Sequence, residues 1–196
     1  MGFTRPELEA ARGRTVRDLV PDDGAELKLL FAGINPGLWT AAAQAHFAHP
    51  GNRFYKALHA AGITPSVLDV TGGFDDRSRR ALLGRGIGIT NLVERATARA
   101  AELDDDELRQ GAVRLAAKVA RWKPRVVAIV GIGAYRVAFG RPGANVGSQA
   151  EDCAGARLWA LPNPSGLNAH YQLNALAALY REVARAAGIE AGPLRQ

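Results

Sequence analysis

One cysteine, Cys153, stands in 196 residues. A lone thiol makes no internal disulfide and fills neither a four-thiolate iron–sulfur site nor a cysteine-rich zinc site. Such sparing use suits a reducing cytoplasm, the expected location. No apolar run approaches the roughly 18 residues of a membrane span, so no membrane partner is expected. The first 19 residues mix Arg and Glu around no apolar stretch, which is not the pattern of a secretory signal. Lysine is scarce, at positions 28, 56, 118 and 123 only, so arginine carries nearly all of the +6 net charge. With a sequence pI of about 10.0 the surface attracts polyanions, and nucleic acid is a natural partner. An Arg- and Ala-rich genome would produce the same balance.

The hydrophobic share of 47% and charged share of 22% describe an ordinary globular chain, of a length that fits one domain. Residues 1–24 are polar and end in the turn signal Pro21-Asp22-Asp23-Gly24. They read as an extension, part of the domain or packed on it, with one short helix near Pro6 to Arg14 that lies on the surface or frays. Residues 25–196 form the domain proper. Apolar runs at 27–32, 87–93, 125–130 and 157–161 read as buried strands. Helices are expected from Asn52 to Ala61, from Asp75 or Asp76 to Leu83, from Glu107 to Trp122, after Gly131-Ile132-Gly133, and from His170 to Ala187. Residues 140–156 read as a loop. Strands alternating with helices predict an α/β fold: three layers, α/β/α, around a central, mostly parallel sheet of four to five strands.

Two loops leave such strands with an Asn beside a Pro and Gly close by: Gly33-Ile34-Asn35-Pro36-Gly37 and Asn163-Pro164-Ser165-Gly166-Leu167. Ligands of open α/β sheets bind outside the carboxyl ends of the strands, so both loops would face one cleft. Pro36 holds Asn35 extended. An asparagine is a poor base near neutral pH, but its amide can hold a water in place. Each loop alone also fits a plain turn. Between them, Phe47 could stack on a planar ring, and His49 and Arg53 could meet phosphate or orient the loop, whereas Phe54 reads as core. Asn91 could point into the cleft. Glu94 is a carboxylate near it, or simply solvated charge beside Arg95. Gly131-Ile132-Gly133 lacks the further Gly and the acid of a dinucleotide site, and would touch at most one phosphate. Leu167 is either a staple for the following helix or a wedge of the kind driven into a base stack.

Taken together, these residues resemble the mismatch-specific uracil-DNA glycosylases and thymine-DNA glycosylases, a branch of the uracil-DNA glycosylase superfamily, over about Leu27 to Ala184. The resemblance implies hydrolytic excision of uracil from DNA, chiefly from guanine–uracil pairs, on a uracil-DNA glycosylase-like fold with no cofactor or metal. Duplex DNA carrying a mismatched or damaged base would be the partner, and a monomer would act on it. By that likeness Asn35 holds the attacking water, Ile34 and Asn163 contact the flipped base and Phe47 stacks on it. Gly166, Leu167 and Asn168 enter the gap and read the widowed guanine. No lysine stands in these loops, so no Schiff-base step is implied.

The chain departs from the pattern in three places. Asn168-Ala169 replaces a common Ser-Arg, which would weaken the grip on mismatched DNA or relax the opposite-base preference. Thr40 stands where relatives carry Ala or Ser, and its branched side chain would crowd a thymine methyl at the base site. Glu94 occupies a position with no assigned chemistry, yet its carboxylate could assist. A non-catalytic DNA-binding module would explain the charge but not the paired loops. A nucleotide-binding α/β domain would need a phosphate loop that the chain lacks.

Overall fold

The computed structural model describes residues 2–22, 25–166 and 171–194. Five strands form one sheet: β1 (Leu29–Gly33), β2 (Ile87–Asn91), β3 (Val126–Val130), β4 (Gly147–Cys153) and β5 (Ala156–Leu161), in the order β2-β1-β3-β5-β4. All neighbours are parallel except β4 with β5. The four apolar runs are the four parallel strands; β1, β2 and β3 are buried on both faces, as a parallel sheet requires, whereas β5, next to the edge, leaves Arg157 exposed and Trp159 half-buried.

Alternation along the strands divides the core. Leu29 and Phe31 of β1 face a cluster with Phe54 and Leu58 of α3 (Phe54–Ala60) and Leu176, Tyr180 and Val183 of α7 (Leu173–Ala186). Leu30 and Ala32 face the other way, onto Leu115 and Val119 of α5 (Asp105–Trp122) and Tyr135 of α6 (Ile132–Ala138). This is the expected three-layer arrangement, because side chains two apart share a face. The helices start where the side chains predict: Asp75 accepts the Ser78 N–H at α4 (Asp76–Leu83), and Asp104 forms a capping box with Glu107 at α5. Among the described residues no helix is long and apolar enough to cross a membrane.

Two expectations are corrected. Residues 147–153 are not loop but the antiparallel edge strand β4, which alternates half-buried and exposed residues up to a buried Cys153. Its polar sequence carries no strand signal. Pairing with β5 through a turn at Ala154 and Gly155, both at positive φ, makes it a strand. Nor does the N-terminal segment fray. After α1 (Arg5–Glu9), Ala11 and Val16 are buried with Ala41 and Ala96, and Leu19 pairs with Ile89 on the outer side of β2. The pairing covers a sheet edge that would otherwise be open there. A further short helix, α2 (Leu38–Ala43), follows the first Asn-Pro loop.

Candidate active site

The carboxyl ends of β1, β2, β3 and β5 open onto one cavity of about 870 Å³. Ile34, Asn35, Thr40, Phe47, Asn91, Asn163 and Gly166 all line it. Seven of the ten site residues expected from sequence therefore meet in one place. Leu167 and Asn168 lie outside the described residues. Glu94 is brought elsewhere: it is half-exposed, ion-paired at 3.1 Å to Lys118 on α5, and absent from the cavity lining. A carboxylate held in that pair is not positioned to act on a group beside Asn35.

Asn35 is pinned by its nitrogen. Its Nδ2 donates to the Thr97 hydroxyl at 2.7 Å, the Arg95 carbonyl at 3.1 Å and the Pro36 carbonyl at 3.2 Å. The amide's orientation follows, since only the NH₂ end can donate. Oδ1, turned from these acceptors, is the end available to a water. The loop beneath is stitched beyond the strand ends: Gly33 and Ile34 carbonyls accept the Leu92 and Val93 N–H groups, and Pro36 O accepts Thr97 N–H. Arg95 is itself tied to Glu107 at the start of α5 by two bonds of 2.5 and 2.8 Å. That pair holds the Glu107 carboxyl down at about 2, with help from the Asp104 N–H.

Phe47 carries φ +56, an unfavourable region for an aromatic residue. Its ring stacks on Phe54 with centroids 4.1 Å apart and planes 18° from parallel. The stack, worth about 0.5–1.5 kcal/mol, offsets part of the backbone cost. Such local strain is characteristic of functional positions. Phe54 itself is core, as expected. Gly33 serves this corner rather than a turn. A Cβ there would lie 2.5 Å from Asn91 Oδ1 and 3.3 Å from the Phe47 ring.

The second Asn-Pro loop docks on residues 51–53. Arg53 donates its backbone N–H to Pro164 O at 2.9 Å and a guanidinium N–H to Ser165 O at 2.7 Å. Gly166 lies so close to the Gly51 carbonyl that a Cβ would approach to 2.6 Å. Of the two readings of Arg53, orienting the loop is the one realised. Asn163 Oδ1 accepts the Ser165 N–H at 3.0 Å, which fixes that amide too. His49 sits exposed at the rim, edge-on to Trp39. Gly131 gives room to the Ile34 side chain, a packing role.

A family model described as the uracil DNA glycosylase superfamily matches residues 21–185. The chain belongs to that superfamily. Membership carries the general activity, a DNA glycosylase of base-excision repair, hydrolytic and acting on DNA. Several residues that line or support the cavity carry no signal in the sequence. Thr97 is one. A buried hydroxyl in the loop beyond the end of β2 carries no periodic signal, yet it takes the shortest bond from Asn35. His46, buried beside Phe47, bonds Asn91. Leu8 and Trp39 line the outer cavity, and Phe3 packs edge-on against Trp39 at 5.2 Å. The N-terminal segment is thus part of the wall.

Proposed function

We propose that this chain is a monofunctional uracil-DNA glycosylase, acting as a monomer on duplex DNA and preferring uracil opposite guanine. The observation that carries this reading is the Asn35 amide, locked by three acceptors on its nitrogen so that its oxygen can hold a water. A base must leave the duplex to be reached, at a cost of a few kcal/mol that is smaller for a mismatched pair. The flipped uracil would stack on Phe47 and meet Ile34, Asn91 and Asn163, while Gly166, Leu167 and Asn168 fill the space it left.

Cleavage breaks the bond between C1′ and uracil N1, and the electron pair leaves with the base. Positive charge develops on the sugar and is captured by the oxygen of the water on Asn35. The water's proton passes to solvent or to the departing uracil. A neutral amide suffices because the sugar cation is a strong electrophile; what the site must supply is position. Lysine is absent from the described cavity lining, which favours hydrolysis over a Schiff-base route.

A labelled duplex with one guanine–uracil pair tests the proposal. Abasic-site formation without added metal, abolished in Asn35→Ala, is expected. Retarded DNA with intact uracil would instead make the chain a binding module.

A further inference from the structure

Residues 17–19 and 89–91 are joined residue by residue. Leu19 and Ile89 exchange two backbone bonds, of 2.9 and 2.7 Å. Asp18 accepts the Thr90 hydroxyl at 2.5 Å and pairs with Lys118 at 2.9 Å. The Arg17 carbonyl faces His46 Nε2 at 3.1 Å, and His46 Nδ1 faces Asn91 Nδ2 at 3.2 Å. Thr90 and Asn91 are consecutive at the end of β2, so their side chains leave opposite faces. The N-terminal segment therefore grips β2 from its edge and reaches both.

The chemistry of this chain of bonds has one consistent solution. A carbonyl only accepts, so His46 Nε2 carries the hydrogen. The ring is almost fully buried, which keeps it neutral, so Nδ1 is an acceptor. Asn91 must then present its NH₂ end to His46. Its Oδ1 is left over Gly33 beside the Phe47 ring. An oxygen there accepts from a base that offers a ring N–H, as uracil does. It opposes a base that offers a lone pair at that edge, as cytosine does.

We infer that Arg17 and Asp18 form a positioning clamp, which through His46 holds the Asn91 amide in the orientation that selects a uracil-type edge. The inference rests on the proposal that Asn91 contacts the flipped base. The charged and titratable groups around His46 are Asp18, which favours its cation, Lys118, which opposes it, and Tyr55, whose hydroxyl donates to the His46 carbonyl at 2.7 Å. Loss of Asp18 removes a charge that favours the His46 cation, but it also frees the segment and admits water to the ring; relief of burial, the largest influence on His46, outweighs the lost attraction and allows the ring to protonate. A protonated Nδ1 becomes a donor, repels the Asn91 NH₂ and turns the amide over.

The test compares full-length wild type, Asp18→Ala, Asp18→Asn and Asn91→Ala in single-turnover excision from a guanine–uracil duplex between pH 5 and 8, with melting curves at each pH. Wild type is expected to show no inflection from His46. Asp18→Ala is expected to gain one between pH 6 and 7, with a rate on the acid side about tenfold below wild type. Asp18→Asn, which can still accept from Thr90, is expected to restore most of the rate lost on the acid side. Nitrogen NMR of labelled histidine should report an Nε2–H tautomer for His46 in wild type and a mixture in Asp18→Ala. An Asp18→Ala protein that melts lower yet keeps the wild-type pH profile and tautomer would overturn the clamp and leave a merely structural bond. If Asn91→Ala is slow in that case, the base contact stands and only the clamp fails. If Asn91→Ala excises at the wild-type rate, the base contact fails and the clamp loses its purpose with it.

Discussion

The Thr97 hydroxyl accepts from Asn35 Nδ2 at 2.7 Å and donates its own hydrogen to the Arg99 carbonyl at 2.8 Å. It can therefore act toward Asn35 only as an acceptor, and Asn35 can turn only its NH₂ group toward it. A hydroxyl from the loop after β2 thus decides which end of an amide in the loop after β1 faces the cavity.

Thr97→Val keeps the shape and removes the acceptor. The single-turnover rate on a guanine–uracil duplex should fall on the order of 10- to 100-fold, the range for a misplaced positioning group. The melting temperature should move little beyond the loss of the hydroxyl's two bonds, about 1 kcal/mol each. Thr97→Ser should recover most of the rate. An equal loss in Thr97→Ser and Thr97→Val would put the effect in packing.

Glu107 acts on the same amide at longer range, since its pair with Arg95 anchors the residue whose carbonyl holds Asn35. Its carboxyl is held at about 2, chiefly by Arg95, below its ordinary 4.5. Whatever the pair contributes is present above the unfolded value and is lost only as pH falls through about 2. The anchor should therefore be indifferent to pH over the working range. Glu107→Gln should slow excision several-fold at every pH from 5 to 8. Combining it with Arg95→Ala should cost little more than the larger single effect, because the two remove one anchor.

Thr40 is nearly buried and lines the cavity. Wild type should release thymine poorly. Thr40→Ala should raise excision from guanine–thymine pairs about tenfold or more, the scale of one methyl-sized contact in a pocket, with little change on uracil. Efficient wild-type release of thymine, unchanged in Thr40→Ala, would remove Thr40 from specificity.

His46 couples the site to acid stability. Burial lowers its ordinary value of 6.5 to about 4, against smaller opposing effects of the Arg17 carbonyl and Asp18. Between these values the unfolded chain binds the proton and the folded chain does not. The contribution is thus fully present above about 6.5 and is lost as pH falls toward 4, a total of about 3 kcal/mol. Urea unfolding of wild type and His46→Gln at pH 4.5 and 7 should show a steeper acid loss in wild type. Parallel losses would assign the acid sensitivity to other groups.

Much of this protein is written locally. Strand-length apolar runs at 27–32, 87–93, 125–130 and 157–161 dictate a buried parallel sheet, because only such a sheet hides both faces of a strand. Asn beside Pro at the ends of two of them marks backbone that leaves the sheet toward a ligand. The sequence by itself therefore determined the layers, the edge where the site lies, and Asn35 and Asn163 within it. It was silent wherever a residue's partner is remote. β4 is a strand only because β5 lies beside it. The polar segment before β1 is ordered only because β2 offers an unpaired edge to Leu19, and because the Ala96 carbonyl accepts the Gly13 N–H while the Ala96 N–H donates to the Arg14 carbonyl. Thr97, His46 and Asp18 acquire their roles from hydrogen bonds spanning 62, 45 and 72 positions. Periodicity records which face of an element is apolar. Which donor meets which acceptor across the sheet edge is settled by the requirement that buried polar groups find partners, and only the tertiary structure decides that.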